Sequence, residues 1–93
     1  MKVVSIGGLV SVQWIADTVG IVRYHDGGGG FGSPFSFSLT MVREGGDALF
    51  YAALGCYTRA THRAMRDAMY TIGVKRVRYE RRTATARAKV LTR

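Results

Sequence analysis

Proline and cysteine are nearly missing from this chain: each occurs once in 93 residues. A single thiol, Cys56, cannot close an internal disulfide, so the chain is no cysteine-stapled secreted scaffold, and a free thiol fits a reducing compartment. Acidic residues are few, six against 14 basic ones, and they are scattered without a close pair for general acid–base work. Histidine occurs only as His25 and His62, and with Cys56 these are too few for a metal-ligand cluster. Long apolar runs are missing too. The charge-free stretch 3–16 is too short to cross a bilayer, and no Ala-x-Ala-like cleavage site follows it. Its Ser5, Gly7, Gly8, Ser11 and Gln13 suit a strand better than a signal segment. No secretion or membrane segment is therefore expected, which points to an intracellular (host cytoplasm) or virion location and away from membrane partners.

What is present is enough to fold. Hydrophobic residues make up 47% of the chain, too many for a disordered tail. The length suits one domain, residues 1–93, with a thin core, since a chain of this size buries only about two-thirds of its unfolded surface. Along the chain, Val3 to Ile15 reads as a strand broken at Gly7-Gly8, and Ile21 to Tyr24 as its return after the turn residues Asp17 to Gly20. Residues 26–34 form a loop, because four consecutive glycines cost too much backbone entropy inside a regular element. Phe35, Phe37, Leu39 and Met41 alternate with Ser36, Ser38 and Thr40, the period of a half-buried strand. Glu44-Gly45-Gly46-Asp47 is a hairpin turn, and Ala48 to Leu54 is its partner strand or, on periodicity alone, a helix.

The helix signals are clearer after that. Thr58 or Thr61 can cap a helix that runs to Ile72, with Gly73 as the left-handed residue beyond it. Tyr57, Ala60, Ala64, Met65, Ala68, Met69 and Ile72 form its apolar stripe, opposite Arg59, His62, Arg63, Arg66 and Asp67. Val74 to Arg82 follows as a strand, and 83–93 is either an edge strand or an extended basic arm. The expected class is α+β: a mostly antiparallel sheet with one amphipathic helix on one face.

Three motifs dissolve on inspection. Gly27 to Gly32 satisfies a dinucleotide-loop pattern only because any glycine run does, and a strand follows it where a helix N-terminus is required. Gly30-Phe31-Gly32 through Phe37 is similar to the aromatic strand of RNA-recognition and cold-shock domains. However, Gly29 stands where a basic residue belongs and Ser33-Pro34 interrupts, so Phe35 and Phe37 are expected to face the core. Cys56 and His62 are close enough in sequence to pair as nucleophile and base, but such a pair needs an orienting third group. Cys56 is expected to be buried packing and His62 a solvated helix-surface residue, so an enzyme is not expected, nor a cofactor or metal.

The charge distribution is the strongest signal. Residues 1–58 carry three basic and four acidic side chains, and residues 59–93 carry eleven basic against two acidic. The halves thus differ by −1 against +9 within a total of +8. A fold needs no such split; it bears on polyanionic partners. Arginine outnumbers lysine 11 to 3, and arginine suits bidentate contact with phosphate or carboxylate. The candidate polyanion-binding residues are Arg59, Arg63, Arg66, Lys75, Arg76, Arg78, Arg81 and Arg82. If about five phosphates were met, log affinity would fall with log salt at a slope of about −4 to −5.

Thr61 to Arg82, a helix closed by Gly73 and followed by Val74-Lys75-Arg76-Val77-Arg78-Tyr79-Glu80-Arg81, resembles the helix–Gly–strand ending of GNAT acetyltransferases and of short phage-encoded orphan proteins with that ending. The resemblance covers about a quarter of the chain. The Arg/Gln-x-x-Gly-x-Gly/Ala turn of that family is absent, so acetyl-coenzyme A binding is not implied. What the likeness implies is a phage-type small protein, with a virion or virion-assembly component as the expected context. Three functions are carried forward. The first is a non-enzymatic interaction or assembly protein whose basic half docks on nucleic acid or an acidic protein surface. The second is a structural subunit that pairs with neighbours, as a homo-oligomer or larger assembly, by strand addition. The third is a reduced acyltransferase-like enzyme.

Overall fold

A computed structural model describes residues 2–82 and 88–92, with side chains from Lys2 to Tyr79. The elements in order are β1 (Lys2–Ile6), β2 (Val10–Trp14), β3 (Val19–Tyr24), β4 (Phe37–Glu44), β5 (Asp47–Gly55), α1 (Arg59–Thr71), β6 (Arg76–Arg82) and β7 (Ala88–Thr92). The strands lie in one sheet in chain order. Neighbours are antiparallel wherever a turn or loop alone joins them, and β5 and β6, joined by α1, run parallel. Parallel neighbours need a crossover of that length. The expected α+β class is the one the chain adopts.

Residues 3–15, expected as one interrupted strand, are instead a hairpin. Gly7-Gly8 reverses the chain outright, so that Ile6 pairs with Val10 and Lys2 with Trp14. The apolar run 48–54 is strand, returned by the Gly45-Gly46 turn to place Asp47 opposite Glu44. Residues 83–87 and 93 of the expected edge strand or arm lie outside the described residues, and 88–92 pair antiparallel with β6.

One face of the sheet is apolar. Val10, Val12, Val22, Leu39, Met41 and Phe50 are buried against Met65, Ala68 and Met69 of the helix. Thr58 caps that helix reciprocally with Thr61, each side chain meeting the other's backbone N–H. Gly73 ends it with φ +88°, the conformation that leaves Val74 N–H free to reach Met69 O at 2.9 Å. The helical phase differs from expectation at three residues. Thr61 is buried while Ala60 is exposed, and Tyr57 precedes the helix. The reciprocal cap with Thr58 holds the Thr61 side chain at the helix start.

Phe35 corrects the alternation argument. Phe37 lies in the core, but Phe35 is 49% exposed, because β4 begins only at Phe37 and the loop before it follows its own course. Its anchor is His25, which is 0% exposed. The ring nitrogen Nδ1 lies 3.2 and 3.1 Å from the carbonyls of Ser33 and Pro34, and carbonyls only accept. Nδ1 therefore carries the proton, and Nε2 accepts from the Ser11 hydroxyl at 2.8 Å. One imidazole thus ties the glycine-rich loop to β2.

Two features open the sheet beside the helix. The first is the course of α1: its backbone runs closest to β2 and β3 rather than to the strands it connects, which leaves Val77 and Tyr79 of β6 beyond its edge. The second is a bulge in β5. Ser38 pairs with Leu54 but Thr40 with Tyr51, so β5 carries one extra residue there, with Ala52 at φ +55°. Pairing between β5 and β6 ends at Phe50 and Tyr79, just before that bulge. Past it the two parallel strands part company.

Candidate functional site

Where β5 leaves β6, a groove of about 570 Å³ runs between α1 and the sheet. Phe50, Val77 and Tyr79 form its floor, Met65 and Met69 its helix wall, and Arg66, Tyr70 and Lys75 its rim. The volume falls within the range of about 300–1,000 Å³ usual for small-ligand sites. Among the described residues that line it there is no carboxylate.

Each lining group has a local cause. Val77 and Tyr79 point into the groove because strand alternation puts them on the helix side. Tyr79 stacks edge-on against Phe50 with ring centroids 5.4 Å apart. Tyr57, in the turn between β5 and α1, fills the gap left at the end of the β5–β6 pairing. Its hydroxyl is hydrogen-bonded to His62 Nδ1 at 2.7 Å and to Tyr79 Oη at 3.3 Å, and its ring leans on Phe37 at 5.0 Å. His62, expected to be solvated, is half-buried by this contact. Cys56, expected to be buried, is exposed, because it follows Gly55 at the sheet's rim rather than entering the core.

The exposed side of the helix carries a line of three arginines that ends on Tyr70. Arg59, Arg63, Arg66 and Tyr70 are spaced four, three and four apart, which confines them to about 60° of arc and about 16 Å of axis. All four are exposed, Tyr70 at 82%. Arg66 approaches Asp67 at 3.7 Å with both side chains largely in water, a contact worth little.

The eight basic candidates therefore separate. Arg66 and Lys75 stand at the groove, and Arg59 and Arg63 continue from Arg66 along the exposed side of the helix beyond it. Arg76 and Arg78 alternate with Val77 and Tyr79 and so project from the opposite face of the sheet. There Arg76 is held by Asp47, Nε to Oδ1 at 3.1 Å and Nη2 to Oδ2 at 2.9 Å. That hydrogen-bonded pairing lowers the Asp47 carboxyl below its ordinary range and raises the guanidinium. Arg81 and Arg82 belong to the backbone of β6, and their side chains lie outside the described residues.

No protein-family model, curated protein or solved structure matches the chain.

The aromatic side of the groove carries no sequence signal, because Tyr79 lies far along the chain from Phe50 and Tyr57 and meets them only through the β5–α1–β6 crossover. Arg23 on the back of the sheet lies 5.9 Å from the Phe31 ring centroid and 5.2 Å from that of Phe35, and it donates to Gln13 Oε1 at 2.8 Å. Those contacts hold the loop down. No helix is long and apolar enough to cross a membrane among the described residues. Nor do the described residues place three His, Cys, Asp or Glu side chains as a metal site.

Proposed function

We propose that the protein is a non-enzymatic docking module whose helix α1 presents Arg59, Arg63 and Arg66, with Lys75 across the groove, to the phosphates of a nucleic acid. The observation that carries this reading is the shared, exposed line of those arginines on a helix whose neighbouring groove has no carboxylate among its described lining. Arginine at every helix position of the line favours bidentate phosphate contact over a merely solvating surface. An acidic protein surface offers the same charge, but its carboxylates are not strung at regular intervals as phosphates are.

Reversing four charges together, Arg59→Glu, Arg63→Glu, Arg66→Glu and Lys75→Glu, is expected to abolish binding to a labelled oligonucleotide with an unchanged circular dichroism spectrum. Arg78→Glu, on the opposite face, is expected to cost far less. Equal losses from both variants, or retained affinity in the first, would contradict the proposal.

A second reading draws on the sheet edge. β1 is one of the two edge strands of the sheet, pairs with β2 alone among the described residues, and has neither proline nor bulge to guard its free side. Under this reading the protein assembles by adding strands there, and light scattering would find an oligomer that Val3→Pro reduces to a monomer.

A further inference from the structure

We infer that the groove beside α1 seats an unstacked base, so that the protein prefers a single strand to a duplex; this rests on the nucleic-acid reading above and specifies its substrate. Tyr70 gives the first reason. Its ring is 82% exposed at the end of the arginine line and at the rim of the groove, a position that contributes little to the core and presents an open π-face. The groove supplies the rest of what a base requires. The half-buried Tyr79 and Val77 line it over the buried Phe50, Met65 and Met69, and Arg66 and Lys75 stand at the mouth where a sugar-phosphate backbone would pass. Stacking platforms bordered by a basic track are how proteins hold single strands, because every base has a π-face while phosphates supply the charge. A duplex keeps its bases stacked inside and can offer this groove only phosphates.

The length of the cationic line chooses a strand over a free nucleotide. Arg59 to Arg66 spans about 10 Å of helix axis, more than a single phosphate can reach. Arg66 and Lys75 alone would serve one nucleotide; Arg63 and Arg59 lie beyond the groove and are matched only by a chain of phosphates. The described lining has no carboxylate to repel it.

Fluorescence anisotropy with three labelled probes of one length tests this: a single strand, its duplex, and a strand of abasic sites that keeps the phosphates and lacks the bases. The single strand is expected to bind about tenfold or more tightly than the abasic strand. Tyr70→Ala is expected to remove most of that advantage and leave abasic binding unchanged, whereas Tyr70→Trp preserves it. Tyr70 is too exposed for either change to unfold the protein. Equal, salt-sensitive binding of all three probes, or a Tyr70→Ala variant that keeps the preference for bases, would overturn base seating and leave the phosphate reading standing. Absence of binding to every probe would overturn both.

Discussion

Arg76 and Asp47 face each other through two parallel hydrogen bonds on the side of the sheet away from the helix. The pair joins the start of β6 to the start of β5, where the parallel register begins with Asp47 opposite Arg76. It also engages one of the protein's basic residues internally, which is why the proposed docking surface lies on the helix and not on this strand. Asp47 has a folded-state carboxyl held below its ordinary value by the Arg76 hydrogen bond. A depressed carboxyl contributes stability above its unfolded pKa and loses it as pH falls through the folded one. Asp47→Asn is therefore expected to be slightly less stable than the natural protein at neutral pH. The gap should close in strong acid and shrink in high salt, because the pair is exposed. Thermal melts over pH and salt would show it.

Ser11 and His25 make a buried polar pair between β2 and the loop after β3. Ser11→Ala leaves Nε2 of a fully buried imidazole without its donor. The expected loss is about 1–3 kcal/mol, measured by urea unfolding. His25→Ala should cost more than Ser11→Ala, since it strips partners from Ser11 and from the Ser33 and Pro34 carbonyls at once. It should also raise proteolysis within residues 26–35.

Gly55 closes β5 at φ +105°, where a Cβ would collide with the Ser36 carbonyl oxygen and lie 3.0 Å from Phe37 Cα. Those neighbours are backbone and cannot swing aside. Gly55→Ala is expected to destabilise by about 2 kcal/mol or more, combining left-handed strain with the clash. It should also disturb Tyr57 two residues on, and hence the groove. Gly27→Ala meets nothing within 4 Å, and it serves as the matched control.

Much of the architecture could be read from local patterns. Phe37, Leu39 and Met41 announced a half-buried strand because period two is a backbone property, and Thr58 and Gly73 marked the helix ends because caps are local chemistry. Phe35 misled for the opposite reason: alternation holds only inside a ladder, and the ladder starts two residues later. His25 carried no sequence signal, since its partners at Ser11, Ser33 and Pro34 are gathered by folding. The cationic line was half visible. Arg59, Arg63 and Arg66 share a helix face by arithmetic, and the same arithmetic at period two sets Arg76 and Arg78 against Val77 and Tyr79. What the chain could not disclose is the groove itself, which exists because α1 lies over β2 and β3 and leaves Val77 and Tyr79 of β6 only half-covered.

The most direct test of the account is the salt dependence of single-strand binding. Four cations, Arg59, Arg63, Arg66 and Lys75, predict that log affinity falls with log salt at a slope of about −3. The variant with those four residues reversed is expected to lose the slope together with the affinity. Affinity that does not change with salt, or a steep slope that survives the reversal, would contradict the assignment of this helix as the phosphate-docking surface.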